Sequence, residues 1–295
     1  MKVLVTGAGG FIGTHLLKLI EKTAVSVSLY NPGWEKKIAK YRPSFVVHLA
    51  GITHSKGSKE DIRKVNFGGT EALAKKAILT KVKKFIMVSS IQAVAEKTKK
   101  GEKVNIDTYA SPKNIYGKTK FEAEQLLRRL SLKSEMEVVI IRPPLVYGPK
   151  VKANFRNLFK LVDKEIPLPI AALDSNQRSF VSVSNLVDLI LLCLEHPGAA
   201  NKTFHVSDDD DISTAELLRR MGKALGKPAR NLPIPAPMLK AGLRLAGKGE
   251  WVDKLFGDLR VDIEHTKKTL GWKPKVTMDE ELERTAKWWR SQARD

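Results

Sequence analysis

The sequence predicts an α/β fold: a doubly wound parallel sheet, one βα unit short after its second strand, followed by a smaller, mostly helical region. Three observations predict it. Apolar runs of strand length alternate with helix-period segments through the first half of the chain. A glycine-rich turn joins the first strand to the first helix. Beyond about Gly148 the alternation stops, and helical segments broken by Pro and Gly take over.

The elements follow in order. Residues 2–6 and 25–30 read as strands, with an amphipathic helix from Gly10 to Lys22 between them. About a dozen residues then separate Asn31 from the next strand, 44–49, and they fit one short helix, Trp34 to Tyr41. A full doubly wound domain needs helix, strand and helix there, so one unit is missing. A helical stretch from Lys59 to Thr80 leads to the strand KFIMV at 84–88. A helix from Pro112 to Leu132 leads to EVVIIR, which ends at Arg142. Ser213 and Thr214 offer a cap for a helix near Ala215, and Thr277 with Glu280 forms a capping box for the last helix. The expected division is a dinucleotide-binding domain over 1–150 and a substrate-binding domain over 151–295, with 178–206 returning to the first.

Composition narrows the function. The chain has 295 residues, 42% of them hydrophobic, enough for a proper core. No basic-then-apolar leader opens the sequence, and the most apolar stretch, LVDLILLCLEHP, is too short to span a bilayer. A cytoplasmic location without stable membrane insertion is expected. The single cysteine, Cys193, reads as a buried small hydrophobe. The net charge is +20, from 52 Lys and Arg against 32 Asp and Glu. These charges come mostly as short Lys runs without aromatic interleaving, so no nucleic-acid partner is expected. A positive field also attracts anionic dinucleotides and nucleotide sugars. The run Asp208 to Asp211 lacks metal-ligand spacing and reads as a turn, so no metal is expected.

Two constellations carry chemistry. In VLVTGAGGFIG, Gly7, Gly10 and Gly13 sit between a strand and a helix. A Cβ there would collide with a pyrophosphate or the facing strand, and the free N–H groups at the helix start bind phosphate. This is the Rossmann dinucleotide turn. The second strand lacks a closing Asp or Glu for a ribose 2′-hydroxyl, and the nearby Lys36 and Lys37 fit either a 2′-phosphate contact or a solvent-facing position, so NAD and NADP both stay open. The second constellation is Tyr116 and Lys120, a Y-x-x-x-K pair on one helix face, with Ser89 and Ser90 ending a strand at the carboxyl edge of the sheet. An ammonium and an oxidised nicotinamide lower the phenol's pKa, and a serine hydroxyl holds the reacting oxygen.

Together these segments resemble the extended short-chain dehydrogenases/reductases, the NAD-dependent epimerase/dehydratase family. VVHLAG, VNFGGT, FIMVSS, YGKTK, IRPPLVYGP, RSFVSV and LGWKP extend the likeness over nearly the whole chain. The resemblance implies an NAD(P) enzyme acting on a nucleotide sugar. It makes Tyr116 the acid/base, Lys120 its partner and Ser90 the hydroxyl on the reacting oxygen. It assigns cofactor contacts to Gly7, Gly10, Phe11, Ile12, Gly13, Asn31, Leu49, Ala50, Gly51, Asn66, Tyr116, Lys120 and Pro143. Ser90, Gln92, Asn154 and Arg178 fall to the substrate. Asn66 and Asn154 also fit helix caps, His48 reads as a packed strand-end residue, and His54 is weighed as a substrate contact. Trp288 and Trp289 read as packing or a dimer contact. Dimers pairing Rossmann-domain helices are common in the family, and a homodimer is one option.

The resemblance also narrows the reaction. Ile91 and Gln92 stand where 4,6-dehydratases carry an Asp-Glu pair, which argues against elimination. Two activities remain, reduction of a 4-keto nucleotide sugar and 4-epimerisation with retained NAD. The second half is similar to the bacterial UDP-N-acetylquinovosamine dehydrogenase group. Those enzymes are read as reductases of a UDP-2-acetamido-2,6-dideoxy-4-hexulose in surface-polysaccharide (lipopolysaccharide, O-antigen) synthesis. Leu145, where epimerases carry asparagine, and the missing ribose acid point the same way. The expectation is therefore a 4-ketoreductase, with the 4-epimerase second. A non-catalytic Rossmann sensor or assembly subunit is the alternative of another class, and intact Tyr116 and Lys120 argue against it.

Overall fold

The computed structural model describes residues 2–52, 57–247 and 249–292, apart from the side chains of residues 153, 154, 250 and 254. Its strands are β1 (Val3–Thr6), β2 (Ala24–Val27), β3 (Phe45–His48), β4 (Lys84–Val88), β5 (Glu137–Arg142), β6 (Leu145–Tyr147), β7 (Phe180–Ser182) and β8 (Thr203–His205). The helices of the first half are α1 (Phe11–Ile20), α2 (Trp34–Tyr41), α3 (Lys59–Arg63), α4 (Gly69–Leu79) and α5 (Ile115–Ser131). Those of the second half are α6 (Ala153–Asp163), α7 (Val183–Glu195), α8 (Thr214–Leu225), α9 (Ala236–Leu245), α10 (Gly249–Phe256), α11 (Glu264–Leu270) and α12 (Met278–Gln292).

Six strands form one parallel sheet in the order β2-β1-β3-β4-β5-β8, and β6 pairs with β7 in a second, small parallel sheet. Helix α2 alone carries the chain from β2 across β1 to β3, so the strand expected outside β2 in a full domain is absent. The order reverses between β1 and β3, and ligands of open α/β sheets bind in the crevice at such a switch point.

The strands read as continuous apolar runs because both faces are covered. Their residues alternate strictly between two cores. Val3, Val5, Val47, Ile86, Val88, Val139 and Ile141 join Leu186, Ile190 and the buried Cys193 of α7. Leu4, Val46, Phe85, Met87, Val138 and Ile140 join Trp34, Ile38, Leu73 and Leu127 on the opposite face. A third core unites Tyr147, Phe155, Phe159, Leu217, Met221 and Leu282 from β6, α6, α8 and α12. Trp289 packs at its edge, 6.1 Å from Phe159, and its indole donates to Asp163 at 3.0 Å. Both expected caps form: Ser213 accepts from the Glu216 N–H, and Thr277 and Glu280 satisfy each other's backbone.

Three expectations need correction. Strand β2 ends at Val27, not Tyr30; Ser28 to Asn31 form a turn, and Tyr30 is 69% exposed. The helix expected over 59–80 is interrupted by a π-helical turn, Lys64–Gly68, which carries Asn66. Such turns add a residue to the helical path and redirect a side chain. The helix expected from Pro112 begins at Ile115, because Asn114 caps it by accepting from the Gly117 N–H at 2.8 Å.

The run Asp208 to Asp211 is dispersed among separate partners. Asp208 accepts from Tyr147 and Asn185, and Asp209 pairs with Lys267. Asp210 pairs with Arg220 and Asp211 with Arg260 and Lys103. Among the described residues no group of His, Cys, Asp and Glu is placed to hold a metal ion, and no helix is long and apolar enough to cross a membrane.

Candidate active site

The turn after β1 has no room for a side chain at Gly7 or Gly13. Gly7 has φ +71°, and a Cβ on it would lie 2.7 Å from the Ala50 nitrogen and 2.8 Å from the Leu49 carbonyl carbon. A Cβ on Gly13 would lie 2.3 Å from the Gly7 oxygen. Gly10 caps α1 without a side-chain acceptor, and the first turn, with half-buried Phe11 and Ile12, holds no acidic residue. Its N–H groups and the positive end of the helix dipole are therefore left for an external anion. This cradle fits the pyrophosphate of a dinucleotide.

A chain of buried hydrogen bonds runs from the carboxyl ends of β1 and β3 to the π-helical turn. Thr6 lies 2.6 Å from His48 Nδ1, and His48 Nε2 lies 2.9 Å from Thr70 Oγ1. The Thr70 hydroxyl donates its one proton to the Asn66 carbonyl at 2.6 Å, so it accepts from Nε2–H and His48 accepts from Thr6. The imidazole is thus held neutral, and burial, helped by the Lys120 charge, pushes its pKa down to about 3. His48 is a packed strand-end residue. Asn66 clasps the loop after β3: its Oδ1 accepts from the Ile52 N–H at 2.8 Å and its Nδ2 donates to the Ile52 carbonyl at 2.9 Å. The same Nδ2 reaches Thr119 on α5 at 3.3 Å, so Asn66 is no helix cap. Gly51 lies against this clasp, where a Cβ would stand 3.2 Å from both Asn66 Oδ1 and Lys120 Nζ.

Helix α5 presents Tyr116, Lys120 and Glu124 along one face at four-residue spacing. The fully buried Glu124 accepts from Ser89 Oγ at 2.5 Å and from Arg142 Nη2 at 2.6 Å. Ser89 is thereby occupied, and Ser90 is the serine that hydrogen-bonds Tyr116. Burial holds the Tyr116 phenol above its ordinary pKa, with the Ser90 bond opposing. Lys120 donates to the Val88 carbonyl at 3.1 Å. Burial pushes its pKa down to about 8, against the pull of Glu124.

The other expected residues divide. Leu49 and Ala50 bond back to Thr6, through Leu49 N–H to its carbonyl at 3.2 Å and Ala50 N–H to its hydroxyl at 3.4 Å. Buried Pro143 accepts from the Ile91 N–H at 2.9 Å beside Ser90. Gln92 Oε1 accepts from Asn114 at 3.0 Å, which ties it to the start of α5. Asn31 is exposed in the turn beyond β2, and Lys36 and Lys37 are exposed on α2. Arg178 Nη1 donates to the Gly257 carbonyl at 2.9 Å. Asn154 follows the first residue of α6, whose cap is Lys152, so it is not the cap; its side chain and His54 lie outside the described residues. The Glu124–Arg142 pair and the Thr6–His48–Thr70 chain were not expected. The first had a signal in the sequence, because Glu124 continues the four-residue spacing of Tyr116 and Lys120.

The glycine cradle, the parallel sheet and the Ser90–Tyr116–Lys120 cluster at its carboxyl edge define an NAD(P)-binding enzyme of the extended short-chain dehydrogenase/reductase type. The chain belongs to the NAD dependent epimerase/dehydratase family, whose model matches residues 3–207. It is 44% identical to a UDP-glucose 4-epimerase of Vibrio cholerae, over 96% of this chain and 94% of that one. Its fold is similar to the UDP-glucose 4-epimerase of Thermotoga maritima, with a TM-score of 0.79 at 22% identity over 99% and 100% of the two chains. It is also similar to the UDP-glucuronic acid 4-epimerase of Bacillus cereus, solved in complex with NAD, with a TM-score of 0.80 at 21% identity over 99% of each chain.

Proposed function

We propose that this chain is a nucleotide-sugar 4-epimerase, which interconverts a UDP-hexose or UDP-N-acetylhexosamine and its C4 epimer with retained NAD. The observation that carries this reading is the 44% identity to a protein named UDP-glucose 4-epimerase across almost both whole chains. It favours epimerisation over the net 4-keto reduction expected from the second half of the sequence.

When bound, NAD would supply a hydride acceptor and then a hydride donor for sugar C4, and a positive charge that helps the phenol ionise. The chain does the rest. The cradle of Gly7, Gly10 and Gly13 binds the pyrophosphate. Ser90 holds the sugar O4 by a hydrogen bond. Tyr116, as phenolate, takes the O4 proton, and Lys120 stabilises the phenolate until it loses its charge near pH 8. After the sugar turns its other face, Tyr116 returns the proton to O4. Gln92, Asn154 and Arg178 are proposed to hold the nucleotide sugar, Arg178 at its diphosphate. Residues 151–295, without 178–206, form the proposed sugar-binding side.

Net reduction stands as the second reading because Leu145, 47% exposed at the start of β6, occupies the place where epimerases carry asparagine. Substrate deuterated at C4 tests the choice. Epimerisation returns the label to C4 of the product. Conversion that needs added cofactor, with label passing into that cofactor, would reject the proposal.

A further inference from the structure

Two helix starts meet at the candidate active site, and one carboxylate joins them. Ser90 caps a 3₁₀ turn, Ile91–Ala93, by accepting from the Gln92 N–H at 3.2 Å. Asn114 caps α5 by accepting from the Gly117 N–H at 2.8 Å. The Ser90 hydroxyl and the Tyr116 phenol that it bonds stand on these two starts. Glu96, in the loop beyond the 3₁₀ turn, reaches across. Its Oε1 accepts from the Asn114 backbone N–H at 2.8 Å and from Asn114 Nδ2 at 2.7 Å. Asn114 Nδ2 also donates to Gln92 Oε1 at 3.0 Å. The Asn114 amide has only this orientation, because a carboxylate accepts and the Gly117 N–H donates.

The contact between the two starts is close: a Cβ on Gly117 would lie 2.3 Å from the Gln92 carbonyl oxygen. The covalent path does not set it. Between Glu96 and Asn114 the chain runs out through residues 97–113, where Thr98 and Val104 bridge to Asp258 and Val261 of the second half. On its return the Ser111 N–H bonds the Val94 carbonyl at 2.9 Å. That bond stops short of the cap, and Glu96 makes the link to Asn114 itself. A hydrogen bond to a charged acceptor is about twice as strong as a neutral one. The first turn of α5 holds no acidic residue, so Glu96 brings negative charge to this helix start from outside it. We propose that Glu96 is a positioning residue, which fixes the Ser90 hydroxyl against the Tyr116 phenol by holding Asn114. The proposal rests on the reading that Ser90 and Tyr116 act on the sugar O4.

Steady-state turnover of UDP-glucose to its C4 epimer tests this. Misplacing reacting groups by about 1 Å costs up to about 100-fold in rate. Glu96→Ala lowers kcat about tenfold or more, keeps KM within about twofold, and retains cofactor as the wild type does. Glu96→Gln, whose amide oxygen can take both Asn114 donors, recovers kcat to within about threefold of wild type. Asn114→Ser still caps α5 but has no amide for Gln92 and Glu96, and it lowers kcat as Glu96→Ala does; it decides the matter where Glu96→Ala does not fold. Wild-type kcat in a folded alanine or serine variant, a rise in KM in place of the fall in kcat, or a glutamine variant as slow as the alanine one would each overturn the proposal. So would loss of folding in both variants, which makes the contact a stability device. A wild type that reduces a 4-keto nucleotide sugar with NADH and does not epimerise removes the epimerase reading alone. The same ratios are then read in the reduction, where the hydroxyl and the phenol face the same oxygen. A wild type with neither activity overturns both.

Discussion

The Lys120 ammonium donates to the Val88 carbonyl at 3.1 Å, two residues before the hydroxyl of Ser90. One buried cation thus ties α5 to the strand end that presents the serine. Holding that charge out of water is costly. A pKa lowered from 10.5 to about 8 corresponds to a penalty on the order of 3 kcal/mol at pH 7.

Lys120→Met should therefore unfold no earlier than the wild type at pH 7, while turnover drops by about 100-fold or more. The sign follows from proton binding. Between pH 8 and 10.5 the unfolded chain holds the lysine proton and the folded chain does not, so wild-type stability rises with pH. Any advantage of the variant should shrink over that interval in thermal unfolding scans. An advantage that grows with pH would contradict the burial penalty.

Glu124→Gln should act in the opposite direction. It leaves the buried Arg142 without its bidentate partner and weakens the anchor of Ser89. Breaking such a pair costs about 3–5 kcal/mol, readable as a lower denaturant midpoint. Glu124 also raises the Lys120 pKa, so the alkaline limb of the pH–rate profile should move to lower pH in any folded fraction.

Acid should destabilise the fold through neutral buried histidines. His48 and His205 are each pushed down to about 3, chiefly by burial. Their contribution is fully present above the ordinary pKa of 6.5 and is lost as pH falls from there towards 3. The slope is up to about 1.4 kcal/mol per pH unit for each histidine. Between pH 7 and 5, His48→Gln should lose about 2 kcal/mol less than the wild type in urea unfolding.

Gly13→Ala should abolish cofactor retention, because its Cβ would fall 2.3 Å from the Gly7 oxygen. Absorbance of the purified variant, with acid release of any nucleotide, reads this directly. A full complement of cofactor in a well-folded Gly13→Ala protein would remove the cradle from the account.

Much of this was legible in the sequence because it rests on local chemistry. The glycine spacing, the Y-x-x-x-K pair and the short segment between Asn31 and Ser44 translate directly into the turn, the helix face and the missing βα unit. Other features were set by tertiary contacts that leave little local trace. The π-helical turn carries Asn66, which bonds the Ile52 backbone, and nothing in KVNFG announces it. Strand β2 stops at Val27 because its partner β1 ends opposite it at Thr6, where the glycine turn begins. The resemblance singles out Ser90 of the two adjacent serines, but the partner that takes up Ser89, the buried Glu124, lies 35 residues away and leaves no local trace.

The cofactor cycle can be read in one measurement. The purified chain is given UDP-glucose without added cofactor, and the sugar C4 epimers are followed by proton NMR, with Tyr116→Phe as the paired sample. A phenol, an ammonium and a hydroxyl working on retained NAD should yield an equilibrium mixture of UDP-glucose and its C4 epimer from the wild type alone. A cofactor-free protein that leaves UDP-glucose untouched, and instead consumes NADH mole for mole with a 4-keto nucleotide sugar, would contradict the assignment.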